Sequence, residues 1–295
     1  MADNSGVRTF FEKQGPSNPL VRRFIAGTSL RDGLLVVKEY SDHNISCSLD
    51  ILGENVLLPE EAEKSTLGYL EAIRQISIFS PRTYLSVKLT ALGMDISDQL
   101  ARQNLRRLTD EARLRGGIFV RIDMEGSAYT ARTHQIVAEE HRAYANVGGV
   151  VQSCLRRSDR DLESLIAENV SVRLVKGAYE ESPDIAYPKK ADIDVAFRRQ
   201  MYQLLEKGFH PALATHDEAI INIAKKFVKQ HNIDPENFEF EMLHGIRNDL
   251  QTALVKEGFA VRVYVPYGVA WYPYFSRRLA ERPANVGSLP KNLFK

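Results

Sequence analysis

The chain has 295 residues, with 39 lysines and arginines against 38 aspartates and glutamates; 44% of it is hydrophobic and 26% charged. This is ordinary globular usage with almost no net charge, which excludes collagen-like or low-complexity sequence and argues against an electrostatic grip on nucleic acid. The two cysteines, Cys47 and Cys154, stand far apart. Their spacing fits neither a disulfide framework nor a thiolate zinc site, and a reducing, cytoplasmic compartment is expected. Residues 1–13 are polar, without the apolar stretch of a secretory signal. No window approaches the roughly 18 apolar residues of a membrane span.

In chain order, helical patterns over Pro19–Ala26 and Leu30–Tyr40 make an N-terminal extension, residues 1–44. Eight short apolar, β-branched runs follow: Ile45–Leu52, Tyr84–Leu89, Ile118–Met124, Val147–Ser153, Val170–Val175, Pro211–Thr215, Phe238–Leu243 and Ala260–Val265. Their starts lie roughly 20 to 40 residues apart, the length of a strand–crossover–strand unit of about 30 residues. Between them, Ala101, Leu105, Leu108 and Ala112 recur at a helical period, as do Ile193, Phe197, Met201 and Leu204. Eight such repeats with right-handed crossovers predict an α/β fold, a (β/α)8 TIM-type barrel over residues 45–295. The rival is an open doubly wound sheet, but neither G-x-G-x-x-G nor G-x-x-x-x-G-K-[ST] occurs.

Side chains alternate along a strand, and those at C-terminal ends reach the barrel mouth, where such folds place their sites. Seven of the eight predicted strands carry polar residues there. Lys88 ends the second; Arg121, Asp123 and Glu125 alternate with Ile122 and Met124 in the third; Gln152 ends the fourth. Arg173 and Lys176 lie in the fifth, Glu239 and Glu241 in the seventh, Arg262 and Tyr264 in the eighth, and Thr215, His216 and Asp217 close the sixth. Any one such residue is more often structural than functional. Their shared position favours a site.

After the eighth strand, Tyr274, Arg277, Arg278 and Glu281 are spaced i, i+3, i+4, i+7 and share one helical face. A solvated face with an Arg277–Glu281 pair would explain the spacing and be worth little. The Tyr-Val-Pro-Tyr-Gly segment just upstream puts the helix at the mouth instead, where paired arginines suit bidentate capture of a small carboxylate or phosphate.

Several segments together resemble the flavin-dependent proline dehydrogenases, especially the short monofunctional bacterial type. They are Ser-Val-Lys-Leu at Lys88, Arg-Ile-Asp-Met-Glu at Asp123, Val-Val-Gln-Ser at Gln152 and Val-Arg-Leu-Val-Lys-Gly-Ala-Tyr at Arg173. Leu-Ala-Thr-His-Asp, Glu-Met-Leu-His-Gly, Tyr-x-Pro-x-Gly and Tyr-x-x-Arg-Arg-x-x-Glu continue the series, and the resemblance runs from Ile45 to Asn285. It implies non-covalent FAD across the mouth, an atypical last helix over the site, and oxidation of L-proline to Δ1-pyrroline-5-carboxylate with electrons passed to a membrane quinone. It implies no metal and no nucleic acid, and leaves open a peripheral contact with the inner face of the membrane. For the substrate it implies Arg277 and Arg278 on the carboxylate with Lys88 helping, Glu281 holding the basic cluster, Leu243 and Tyr264 packed on the ring, and Tyr274 closing the pocket. Around the flavin it implies Met124, Gln152, Arg173, Lys176, Gly177, Ala178, Thr215 and His216, with Asp123 and Arg173 as the catalytic pair.

The residue chemistry agrees independently. Hydride transfer asks the protein for placement and for tuning of the cofactor, and a cation near the flavin would stabilise its reduced form. Three other readings compete. Lys88 or Lys176 could form a Schiff base, since both sit among cations that would depress an ammonium. His216, Asp217 and His244 could serve a metal-dependent hydrolase, although no supporting spacing occurs. The arginine pair alone would suffice for a non-catalytic amino-acid-binding barrel.

Overall fold

A computed structural model describes Phe11, Gly15 and residues 18–80 and 82–280. Eight parallel strands close into a barrel in chain order: β1 (Ser46–Ile51), β2 (Tyr84–Val87), β3 (Val120–Ile122), β4 (Val147–Gln152), β5 (Val172–Val175), β6 (Ala212–Ala214), β7 (Glu239–Leu243) and β8 (Ala260–Tyr267). All eight predicted strands are present. Only β8 outruns its predicted bounds. Pro266 has no N–H to give, but its carbonyl accepts the Ala26 N–H at 2.9 Å, and the Tyr267 carbonyl accepts Leu52 N–H at 2.7 Å. The strand end is therefore hydrogen-bonded on both sides.

The helices are α1 (Pro19–Arg22), α2 (Leu30–Ser41), α3 (Pro59–Phe79), α4 (Asp98–Leu114), α5 (Ser127–Ala143), α6 (Ser158–Ala167), α7 (Lys190–Lys207), α8 (Glu218–Gln230), α9 (Asn248–Lys256) and α10 (Tyr272–Ala280). Two of them depart from a regular barrel. α2 starts at a reciprocal capping box between Ser29 and Asp32 and lies against β1 and β8. Its Gly33 meets Leu49 and Tyr267 so closely that a Cβ would come within 3.0 Å of the leucine. α2 thus fills the slot between β8 and β1, where the helix following β8 would ordinarily pack. α10 is displaced to the mouth. There Trp271, Tyr272, Tyr274, Phe275 and Leu279 form a second apolar core with Phe11, Val21, Phe24, Ile25, Leu52 and Ile246, and Leu243 and Tyr264 pack against it. The Phe275 ring sits 4.8 Å from Phe11 and 6.3 Å from Phe24.

The main core is the annulus between sheet and helices, filled by outward residues such as Leu49, Leu85, Val120, Leu174, Phe240 and Val263. The barrel interior, where branched apolar residues usually stack, is polar instead. Its floor holds two arginines. Arg121 donates to the carbonyls of Ser171 (2.5 Å) and Gly149 (3.2 Å). Arg262 donates to Glu239 (2.7 Å) and to the carbonyls of Cys47 and Arg82, with its guanidinium 3.3 Å from the Tyr84 ring centre. Gly148 gives Arg121 room: a Cβ there would lie 2.7 Å from its Nη1. These two members of the polar set tie strand backbones together below the mouth. They are structural.

Candidate active site

One level above that floor, Arg173 stands at the centre of the barrel, 4% exposed. Its Nε donates to Glu241 Oε2 and its Nη1 to Asp123 Oδ1, each at 2.7 Å, while Nη2 reaches Ser48 Oγ (3.0 Å) and Ser86 Oγ (3.1 Å). Four other strands thus converge on one guanidinium, which fixes its plane. Burial opposes its charge, but Glu241 and Asp123 outweigh that and raise Arg173 above the ordinary arginine value. The second oxygen of Asp123 accepts the Tyr264 hydroxyl at 2.8 Å. Burial, then Asp123, pushes the Tyr264 phenol well up, so it stays a donor.

Lys88 lies beside this group, its Nζ 2.9 Å from Asp50 Oδ1 with both side chains buried. Burial alone would depress the ammonium, but Asp50 and Asp123 more than compensate and hold it well above its usual value. The sequence-based premise for a Schiff base is therefore reversed: Lys88 is matched to carboxylates and kept protonated. Lys176 likewise contacts Asp194 (2.6 Å) and Asp217 (3.1 Å), at the edge of the mouth. The histidines of the hydrolase reading are also engaged. His216 Nε2 accepts the Leu243 N–H at 2.9 Å, and His244 Nδ1 meets the Tyr40 hydroxyl at 3.0 Å.

The remaining expected residues fall into two arcs. On β3 to β6 lie Met124 and Gln152, both buried, the latter's amide donating to the Glu125 carbonyl at 2.9 Å. Thr215 is buried and accepts the Asp217 N–H, and exposed Gly177 and Ala178 follow β5. Gly177 has φ +111°, and a Cβ would stand 2.2 Å from Cys154 Sγ, so the chain's own packing demands glycine there. On the opposite arc, Leu243 at the end of β7 and Tyr264 within β8 pack against the cluster that α10 forms, and Lys88 follows β2. α10 presents Tyr274, Arg277 and Arg278. Arg277 Nη1 is 3.2 Å from Glu54 Oε1, and the Arg278 guanidinium lies 5.3 Å from the Tyr274 ring centre. Glu281 lies outside the described residues.

Sequence reasoning overlooked Ser48 and Asp50, although Ser46, Ser48 and Asp50 already alternate along β1. It also passed over Glu54, Thr90 and Tyr179. Burial, then Glu54 and Glu125, raises the Tyr179 phenol, with Lys88 and Arg277 opposing, so the ring stands amid this cluster.

Packing alone would make Tyr264→Phe silent; its bond to Asp123 says otherwise. A hydrogen bond to a charged group is worth about 1.5–3 kcal/mol. Tyr264→Phe should therefore lower kcat/KM by about tenfold or more, and Tyr264→Ser, which also removes the ring, should fall further. Steady-state kinetics of the pair decides it: a phenylalanine variant equal to wild type would remove the hydroxyl from the site.

A closed barrel that gathers a buried guanidinium, a buried ammonium and several carboxylates beneath a displaced helix is the build of a barrel enzyme acting on a small charged molecule. The proline dehydrogenase family model matches residues 35–291, and the chain belongs to that family of oxidoreductases. It is 35% identical over 295 residues to proline dehydrogenase 2 of Bacillus subtilis (strain 168), covering 97% of each chain. It is 39% identical over 282 residues to the proline dehydrogenase of Deinococcus radiodurans, covering 94% of this chain and 90% of the relative. Among solved structures, proline utilization A from Bdellovibrio bacteriovorus, inactivated by N-propargylglycine, superposes with a TM-score of 0.82 at 27% identity. That match covers 89% of this chain and 32% of the longer protein, so the chain spans about a third of that protein's length.

Proposed function

We propose that this chain oxidises L-proline to Δ1-pyrroline-5-carboxylate, the first step of proline catabolism, with non-covalent FAD and with a membrane quinone as final acceptor. The observation that carries the reading is α10 lying over the mouth, with two arginines above a buried Lys88–Asp50 pair and the Arg173–Asp123–Tyr264 network. The residues fit the cofactor in kind. Gln152, Arg173, Thr215, His216 and the exposed Gly177–Ala178 backbone belong to the contiguous ends of β4, β5 and β6, with Met124 and Lys176 flanking them. When bound, FAD supplies the electron sink that takes a hydride from the substrate ring.

The protein's part is placement and charge. Arg277 and Arg278, helped by Lys88, hold the carboxylate; Leu243 and Tyr264 form the floor under the ring, and Tyr274 closes the pocket. Asp123 orients Arg173, whose permanent positive charge offsets negative charge gained by the reduced cofactor. For Glu281, outside the described residues, the family resemblance suggests the role of holding that basic cluster. Of the competing readings, the Schiff base asks for a neutral lysine, and Lys88 is held as an ammonium by Asp50 and Asp123.

No helix among the described residues is long and apolar enough to cross a membrane. The proposed quinone step places the protein in the cytoplasm, in peripheral contact with the inner face of the membrane. The test is direct. Purified protein should be yellow, and L-proline should bleach the flavin band under anaerobic conditions. Colourless protein that cannot be reconstituted with FAD would overturn the reading.

A further inference from the structure

Thr90 opens the single-turn 3-10 helix Thr90–Leu92, two residues past Lys88, and is fully buried. Its hydroxyl donates to Glu125 Oε2 at 2.6 Å and its N–H to Glu125 Oε1 at 3.3 Å. The same hydroxyl accepts the Asn55 N–H at 3.0 Å, and the Thr90 carbonyl accepts the Val56 N–H at 3.3 Å. One side chain therefore joins the segments that follow β1, β2 and β3. Asn55 itself has φ +58°, a left-handed conformation uncommon outside glycine. Its side chain donates to Asp95 (3.0 Å) and reaches the Tyr129 hydroxyl, which donates to Asp95 in turn (2.7 Å). The residue before Asn55 is Glu54, the carboxylate on Arg277.

A loop without regular structure would ordinarily be mobile. This one is tied at Asn55 and at Val56, and the tie runs through Thr90 to a buried carboxylate. Glu125 is 4% exposed, and burial pushes its carboxyl pKa up to about 7 while Thr90 and Lys88 pull it down. The backbone immediately after Glu54 is therefore held through Thr90, while the Glu54 carboxylate itself contacts Arg277.

We propose that Thr90 and Glu125 are positioning residues for the substrate carboxylate: they fix the loop that carries Glu54, and Glu54 fixes the Arg277 guanidinium. The inference rests on L-proline being the substrate. Neither residue needs to touch substrate or cofactor. Loss of the tie should loosen the arginine's aim, which appears in KM more than in kcat because the carboxylate is remote from the reacting carbon.

The experiment compares Thr90→Val, which keeps shape and deletes the hydroxyl, with Thr90→Ser, which keeps it, each alone and combined with Arg277→Met. Thr90→Val should raise KM for L-proline by about fivefold to tenfold, with kcat and the flavin-to-protein ratio near wild type. Thr90→Ser should behave as wild type. In the Arg277→Met background, Thr90→Val should add almost nothing, because the residue it acts through is gone. Should Thr90→Val fold poorly, Glu125→Gln, which keeps one acceptor oxygen, carries the same cycle with a smaller rise. An unchanged KM in Thr90→Val, or an equal rise with and without Arg277, would overturn the positioning role while leaving the functional reading intact. A flavin-loaded wild type inert towards L-proline would overturn that reading and this proposal with it.

Discussion

Arg173→Met should lower kcat/KM by at least about a hundredfold, corresponding to about 3 kcal/mol, and should reduce the flavin-to-protein ratio of the purified enzyme. Two effects act together. The variant deletes the buried cation proposed to offset charge on the reduced cofactor, and it strands Glu241 and Asp123 in the barrel interior. Breaking a buried ion pair by removing one partner typically costs about 3–5 kcal/mol, so Tm should fall as well. Arg173→Lys separates the contributions. It restores the charge, but an ammonium cannot reproduce the planar set of bonds to Glu241, Asp123, Ser48 and Ser86. It should therefore recover stability more than turnover. A variant with reduced Tm but normal turnover and flavin content would make Arg173 a structural tie like Arg121 below it.

That contrast shows where sequence reading ends. Strand alternation and repeat length make the eight strands legible, since period and spacing are local properties. Alternation also puts Arg121, Arg173 and Arg262 into the barrel, yet says nothing of depth, which the interstrand register decides. Val150 pairs with Arg173 while Gly148 pairs with Arg121, so one arginine stands at the centre and the other on the floor. Lys88 was legible as a mouth residue, but its partner was not: Asp50 comes from the neighbouring strand, through a register that sets Asp50 against Ser86. A reading restricted to nearby residues saw cations around Lys88, where the fold supplies a carboxylate. Glu54 sits in an irregular loop with no periodicity to flag it. The place of α2 was hidden too, because its capping box and apolar stripe mark a helix but not the slot it fills between β1 and β8.

The arginines of α10 give the second large effect. Arg277→Met and Arg278→Met should each raise KM for L-proline by about tenfold to a hundredfold, since a charge-assisted hydrogen bond is worth about 1.5–3 kcal/mol. The Glu54 contact makes the two unequal. In Arg277→Met the Glu54 carboxylate loses its cation and faces the incoming substrate carboxylate uncompensated, so this variant should be the worse of the pair. Turnover at saturating L-proline should fall less than kcat/KM if the contact is equally strong in ground and transition states. Flavin content and Tm should stay near wild type, because Phe275 and Leu279 anchor α10 in the apolar cluster with Phe11 and Phe24. Arg277→Lys should rescue little, since a single ammonium cannot replace the guanidinium fork between Glu54 and a carboxylate. Steady-state kinetics with flavin-to-protein ratios measures all of this. Normal KM values in both methionine variants would reduce the arginine pair to a solvated face and remove the carboxylate site from the mouth.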